Sequence, residues 1–107
     1  MPGCGSVTEI AHALELGAEV VKIFPGAQVG GPAFVKAVKG PLPWASIMPT
    51  GGVSPTEENL KTWFDAGVHC VGIGSKLFVK NSSGAYDYPV ITSTIKDALG
   101  LVKNLRS

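Results

Sequence analysis

Two segments of the chain, Gly17-Ala18-Glu19-Val20-Val21-Lys22-Ile23 and Gly67-Val68-His69-Cys70-Val71-Gly72-Ile73, align without a gap at a separation of 50 residues. A third apolar run, residues 45–50, lies about midway between them, so the period is near 25 residues, one strand plus one helix. Repeated βα units with short connections dictate parallel strands, joined by right-handed crossovers and covered by helices.

The intervening stretches fit this scheme. Ser6-Val7-Thr8-Glu9 has the form of a capping box, and Val7, Ile10 and Leu14 follow at helical spacing, predicting a helix over about 7–16 that Gly17 ends. Gly30-Gly31-Pro32 opens a second helix, with Phe34, Val35 and Val38 on one face, stopping before Gly40-Pro41. A second capping box, Ser54-Pro55-Thr56-Glu57, starts a third, with Leu60, Trp63 and Phe64 toward the core and Gly67 at its end. Strands are expected over 45–50 and 68–73. Asn81-Ser82-Ser83-Gly84 breaks the rhythm, and a last helix over about 89–105 carries Ile91, Ile95, Leu99, Val102 and Leu105 as its apolar stripe.

The strand around Lys22 sets the chemistry. Val20, Lys22 and Phe24 share one face of it, and Val21 and Ile23 share the other, before Pro25-Gly26 closes the run. The second face is aliphatic and suits a layer of helices. The first places an ammonium among apolar groups, where desolvation disfavours the charged form. A lysine activated in this way is a nucleophile that forms Schiff bases with carbonyl substrates. The other reading is a side chain that reaches water at the strand end or pairs with a carboxylate. Small and polar groups on one strand face, namely Lys22, Phe24, Thr50, Gly72 and Gly74, fit a barrel interior better than a doubly wound sheet. The fold class expected is therefore α/β, with parallel βα units forming the C-terminal half of a (β/α)8 TIM barrel. Residues 1–107 make one partial domain, since the chain is shorter than a complete barrel and Pro2-Gly3 reads as the end of a strand whose body is absent.

Thr50-Gly51-Gly52 after one strand and Gly72-Ile73-Gly74-Ser75 at the end of the next are consecutive glycine-bearing turns. Such turns bring backbone N–H groups close to an anion, and barrels commonly hold a phosphate in their last two βα loops, beside a short extra helix that Ser75-Lys76-Leu77-Phe78 would start. Either turn alone also serves simply as a tight turn or to relieve crowding.

Composition adds exclusions. The net charge of +1 suggests neither nucleic acid nor a membrane surface as partner. Cys4 and Cys70 are 66 positions apart with no metal-ligand spacing, which points to thiols in a reducing, cytoplasmic compartment and to no metal or other cofactor. No run approaches the roughly 18 apolar residues of a membrane span.

Four stretches, Met1-Pro2-Gly3-Cys4-Gly5-Ser6-Val7-Thr8-Glu9-Ile10, Val21-Lys22-Ile23-Phe24-Pro25-Gly26, Met48-Pro49-Thr50-Gly51-Gly52-Val53 and Gly72-Ile73-Gly74-Ser75-Lys76-Leu77, resemble the C-terminal half of the 2-keto-3-deoxy-6-phosphogluconate aldolases. These are class I pyruvate aldolases, also described as 4-hydroxy-2-oxoglutarate aldolases. The resemblance implies that Lys22 is the catalytic Schiff-base lysine and that Phe24 and Pro25 shape its pocket. It also implies that Thr50, Gly51, Gly52 and Ser75 receive the substrate phosphate, with Gly74 in the same turn as Ser75. It further implies a homotrimer acting on a phosphorylated keto acid, with pyruvate and glyceraldehyde 3-phosphate as products. In that family the general-base glutamate, an arginine that binds the carboxylate and a further threonine come from the first four strands, which have no counterpart in these residues.

The residues agree with that gap. The eight acids, Glu9, Glu15, Glu19, Glu57, Glu58, Asp65, Asp87 and Asp97, fall on helices, helix starts or the N-terminal end of a strand, and His12 and His69 read as structural. No candidate base accompanies Lys22. The expectation is a lyase whose lysine and phosphate halves lie in this chain. The alternatives are a non-catalytic phosphate-binding half-barrel, inactive without the missing half, or another phosphate-binding barrel such as an isomerase or synthase.

Overall fold

In the computed structural model, which describes residues 3–74, 76–78 and 80–106, three short strands carry the framework. They are β1 (Gly3–Cys4), β2 (Val21–Ile23) and β3 (Ile47–Pro49), parallel and in the order β1-β2-β3. Gly3 pairs with Lys22 and Cys4 with Ile23; across the next ladder Val21 pairs with Ile47, Lys22 with Met48 and Ile23 with Pro49. This register puts Cys4, Val21, Ile23, Ala45, Ile47 and Pro49 on one buried face, while Val20, Lys22, Ser46, Met48 and Thr50 on the other are half-buried and Phe24 is exposed. The alternation expected for β2 is thus observed and extends to both neighbours.

Residues 68–73 run beside β3 as the sequence predicts, with the His69 N–H donating to Ile47 O at 2.9 Å and the Gly72 N–H to Pro49 O at 2.8 Å. They form a single parallel bridge, Thr50 to Gly72, rather than a strand. Gly72 and Gly74 offer no side chain for cross-strand packing, and this run has a neighbour on one side only, so its ladder is minimal.

The buried face is covered by α1 (Val7–Glu15), α2 (Gly31–Val38), α3 (Glu57–Asp65) and α4 (Tyr88–Arg106). Ser6 caps α1, its Oγ accepting from the Glu9 N–H at 3.2 Å, and Glu9 Oε1 reaches back to accept from the Gly5 N–H at 3.2 Å. Gly17 follows with φ of 94°, the left-handed stop that a residue without Cβ adopts cheaply. Pro32 sits in the first turn of α2, where its missing N–H costs nothing. Lys39, past the end of α2, fastens the next loop by donating from Nζ to Pro43 O at 2.9 Å and Ala45 O at 2.8 Å.

Two expectations shift. Helix α3 is capped by Thr56, whose Oγ1 accepts from the Asn59 N–H at 3.3 Å, and not by Ser54, whose backbone N–H is instead drawn to Asn59 Oδ1 at 2.8 Å. On α4 the inward stripe runs through Ile91 and Ala98, with Leu101, Val102 and Leu105 partly buried, whereas Leu99 is 65% exposed and Ile95 lies at the margin. One residue along a helix turns the side chain by about 100°, enough to carry Leu99 off the core face. Residues 80–86 form a small reversal, with Lys80 and Tyr86 in an antiparallel bridge.

Trp63, Ile10, Ile23, Ile47 and Leu60 are fully buried, each contributing about 1.5–3 kcal/mol by leaving water. All of them lie on the helix side of the sheet. The face bearing Lys22 has no covering layer among the described residues.

Candidate active site

Lys22 projects from the middle of β2, between Gly3 on one neighbouring strand and Met48 on the other. The space a side chain at Gly3 would fill is open, so nothing from β1 crowds the lysine. Its Nζ lies over the Phe24 ring, 5.4 Å from the centroid, a contact worth about 0.5–1 kcal/mol at an exposed site. Among the described residues no carboxylate forms a salt bridge with Lys22; the ion pair seen is Lys61 with Asp65, 2.7 Å apart on the outer surface of α3. The half-buried lysine therefore has an aromatic neighbour and, among the described residues, no counter-ion.

Phe24 and Pro25 lead directly from β2 into a loop packed against the turn that follows β3. The Gly26 N–H donates to Thr50 O at 2.8 Å and the Ala27 N–H to Gly51 O at 3.1 Å. Glycine is required at 26, because a Cβ there would lie 2.7 Å from Gly51 O. The third carbonyl of the turn, Gly52 O, accepts from Asn59 Nδ2 at 3.2 Å and from Trp63 Nε1 at 3.4 Å. Three successive carbonyls are thus turned toward one flank, built from Gly26, Ala27 and α3. In a trans peptide the N–H points opposite to the preceding carbonyl, so the Gly51 and Gly52 N–H groups face away from that flank. Neither donates a hydrogen bond among the described residues.

Thr50 stands on the same sheet face as Lys22. Among the described residues its Oγ1 is buried without a hydrogen-bond partner, beside Gly72, where a Cβ would lie only 2.5 Å from it. A buried hydroxyl with no partner is costly and marks a place where a ligand group would be welcome.

The structure therefore brings together Lys22, Phe24, Pro25, Thr50, Gly51 and Gly52. Gly74 is exposed, with nothing within 4 Å of the position a Cβ would take, and joins the group only through Gly72. Ser75 lies outside the described residues. His12 is on α1, and His69 lies beside Ile47, so neither reaches the C-terminal strand ends. Among the acids, Glu9 does reach the turn after β1, but its carboxylate is engaged in capping, accepting from the Gly5 N–H at 3.2 Å and the Ser6 hydroxyl at 3.1 Å. Cys4, on the buried face, has its thiol pushed up by burial and then by the nearby Glu9 carboxylate, the opposite of a reactive thiolate. A hollow of about 470 Å³ lies beside β1 and α1, lined in part by Cys4, Glu9 and His12, and one of about 430 Å³ lies behind the glycine turn, lined in part by Gly52, Asn59 and Trp63. Another, of about 330 Å³, is apolar and lies between α3 and α4, lined in part by Phe64, Val71 and Val102. Among the described residues no three His, Cys, Asp or Glu side chains are grouped to hold a metal ion, and no helix is long and apolar enough to cross a membrane.

The family described as "KDPG and KHG aldolase" matches residues 1–94. The chain belongs to this family. It is 40% identical over 106 residues to the 2-dehydro-3-deoxy-6-phosphogalactonate aldolase of Escherichia coli K12, covering 98% of this chain and 47% of that protein. It is 35% identical over 99 residues to the 2-dehydro-3-deoxy-phosphogluconate aldolase of Pseudoalteromonas atlantica, covering 92% of this chain and 45% of the relative. Among solved structures, one described as native KDPGal superposes with a TM-score of 0.80 at 33% identity, covering 97% of this chain and 48% of that one. The chain thus spans about half the length of the curated relatives it matches.

Within this aldolase-family chain the sequence reading passes over Asn59. The available signal was a polar amide in the first turn of α3, three residues after a threonine, but its use depends on where the Gly52 carbonyl lies in space.

Proposed function

We propose that this chain supplies the lysine and phosphate halves of a class I aldolase site acting on 2-keto-3-deoxy-6-phosphogluconate-type sugar acids. The Lys22 amine adds to the C2 carbonyl and expels water, giving an imine. The protonated imine withdraws the electron pair of the C3–C4 bond as that bond breaks, while a base takes the C4 hydroxyl proton. The products are glyceraldehyde 3-phosphate and an enamine that, after protonation and hydrolysis, yields pyruvate and the free lysine. Phe24 and Pro25 border the amine; Thr50, Gly51 and Gly52 receive the phosphate, with Gly74 and Ser75 assigned to the same role from the family pattern. The homotrimer and the cytoplasmic location belong to this reading as well, and no cofactor enters it.

The observation that carries the reading is the division of the turn after β3. Its carbonyls are committed to Gly26, Ala27, Asn59 and Trp63, its two glycine N–H groups point the other way, and it follows the strand hydrogen-bonded to the lysine strand. Such a turn favours an anion at a fixed place relative to one amine.

Borohydride reduction in the presence of pyruvate tests it. A stable mass adduct that peptide mapping places on Lys22 is the expected result. Phosphate binding with no adduct at millimolar pyruvate would support the non-catalytic, phosphate-binding reading instead.

A further inference from the structure

The three carbonyls of the turn after β3 are not held alike. Those of Thr50 and Gly51 are fixed by backbone N–H groups of the neighbouring loop, which the fold itself supplies. That of Gly52 is held by side chains alone, Asn59 Nδ2 at 3.2 Å and, less closely, Trp63 Nε1 at 3.4 Å. Gly52 is exposed and has φ of 77°, so the peptide that follows it is flanked by the residue with the fewest barriers to rotation. Rotated, that peptide would present its oxygen, and hence a negative dipole end, to any anion on the N–H side of the turn.

Asn59 is built to prevent this. It lies in the first turn of α3 and is half-buried, and both ends of its amide are used: Oδ1 accepts from the Ser54 N–H at 2.8 Å while Nδ2 donates to Gly52 O. A carboxylate of the same shape could make the first bond and not the second. The two bonds together span residues 52–54 and tie the exit of the turn to the helix. We propose that Asn59 is a positioning residue for anion binding by Gly51 and Gly52, acting by keeping the Gly52 carbonyl turned away. The inference rests on the reading of that turn as the phosphate receptor.

The test compares the 107-residue chain with Asn59→Ala and Asn59→Leu, both uncharged, so that no new charge meets the anion. Equilibrium dialysis with labelled inorganic phosphate gives the affinity, and borohydride trapping of pyruvate on Lys22 is measured on the same samples. Losing both side-chain hydrogen bonds of Asn59, the one to Gly52 O and the one from the Ser54 N–H, is expected to weaken phosphate binding about tenfold in both variants. Trapping should stay within about twofold of the unaltered chain. A merely structural brace would move both readouts together or neither, and either result overturns the proposal. If the leucine variant fails to fold, as judged by circular dichroism, the alanine variant carries the comparison alone. Absence of saturable phosphate binding by the unaltered chain also overturns it. Phosphate binding without pyruvate trapping would remove the aldolase reading but leave Asn59 to be judged on the phosphate arm.

Discussion

The Lys22 ammonium sits 5.4 Å from the centroid of the Phe24 ring, two residues further along the same face of the sheet. The ring gives the amine an apolar neighbour near the C-terminal end of the strand. Lys22→Met is expected to abolish the pyruvate adduct while leaving the fold intact, since an unbranched side chain of similar length suits a half-buried strand position. Mass spectrometry after reduction, alongside far-ultraviolet circular dichroism, reads both effects. An adduct that survives the substitution would move the nucleophile to another lysine.

Thr50 and Gly72 form a second pair whose geometry makes a quantitative statement. A Cβ at Gly72 would meet Thr50 Oγ1 at 2.5 Å, whereas Thr50 Cβ would be at an ordinary 3.5 Å. Gly72→Ala is therefore expected to destabilise the chain by about 1–3 kcal/mol through overpacking. In a Thr50→Ala background the same change should cost less than half as much, because the offending oxygen is gone. Urea denaturation of the four proteins closes the cycle; strict additivity would mean the contact relaxes without strain.

The start of α3 separates two threonine and serine candidates. Thr56→Ala should lose about 0.5–2 kcal/mol with its cap, and Ser54→Ala only a few tenths, because the structure uses the Ser54 backbone N–H. Equal losses would return the cap to Ser54.

That contrast shows which features the sequence makes legible. The strand faces around Lys22 and the helix after Ser6 follow from periods of 2 and 3.6 and from a reciprocal cap, all of which are local. Ser54 and Thr56 both precede the same helix with a polar partner three residues on, Glu57 or Asn59, and only the position of Gly52 O, which Asn59 also binds, distinguishes them. The choice of Ala98 over Leu99 on α4 depends likewise on how that helix rolls against α3, a tertiary matter. Lys22, Phe24 and the Thr50-Gly51-Gly52 turn stand out as candidates because residue type alone marks them. Asn59 does not, since its amide acts through a carbonyl distant from it in the pattern.

The last expectation concerns the sheet face that bears Lys22. Phe24 is 56% exposed, Val20 and Met48 are half-buried, and β1 is the outer strand of the sheet beside β2. The radius of gyration, 14.8 Å, exceeds the roughly 13 Å of a compact domain of this length. Each large apolar side chain withheld from burial forgoes about 1.5–3 kcal/mol, so a few such residues rival the 5–15 kcal/mol stability of a typical domain. A polypeptide of these 107 residues is therefore expected to self-associate through this face and its edge, or to bind a hydrophobic dye strongly where it stays monomeric. It is also expected to show no aldol turnover, because among the described residues no carboxylate is paired with Lys22 to act as base. Sedimentation velocity, dye binding and a pyruvate aldol assay measure these outcomes. A monomer that binds no dye and exchanges its β2 amides slowly would show instead that the face is stable in water, and turnover near that of a complete aldolase would show that a base lies within this chain.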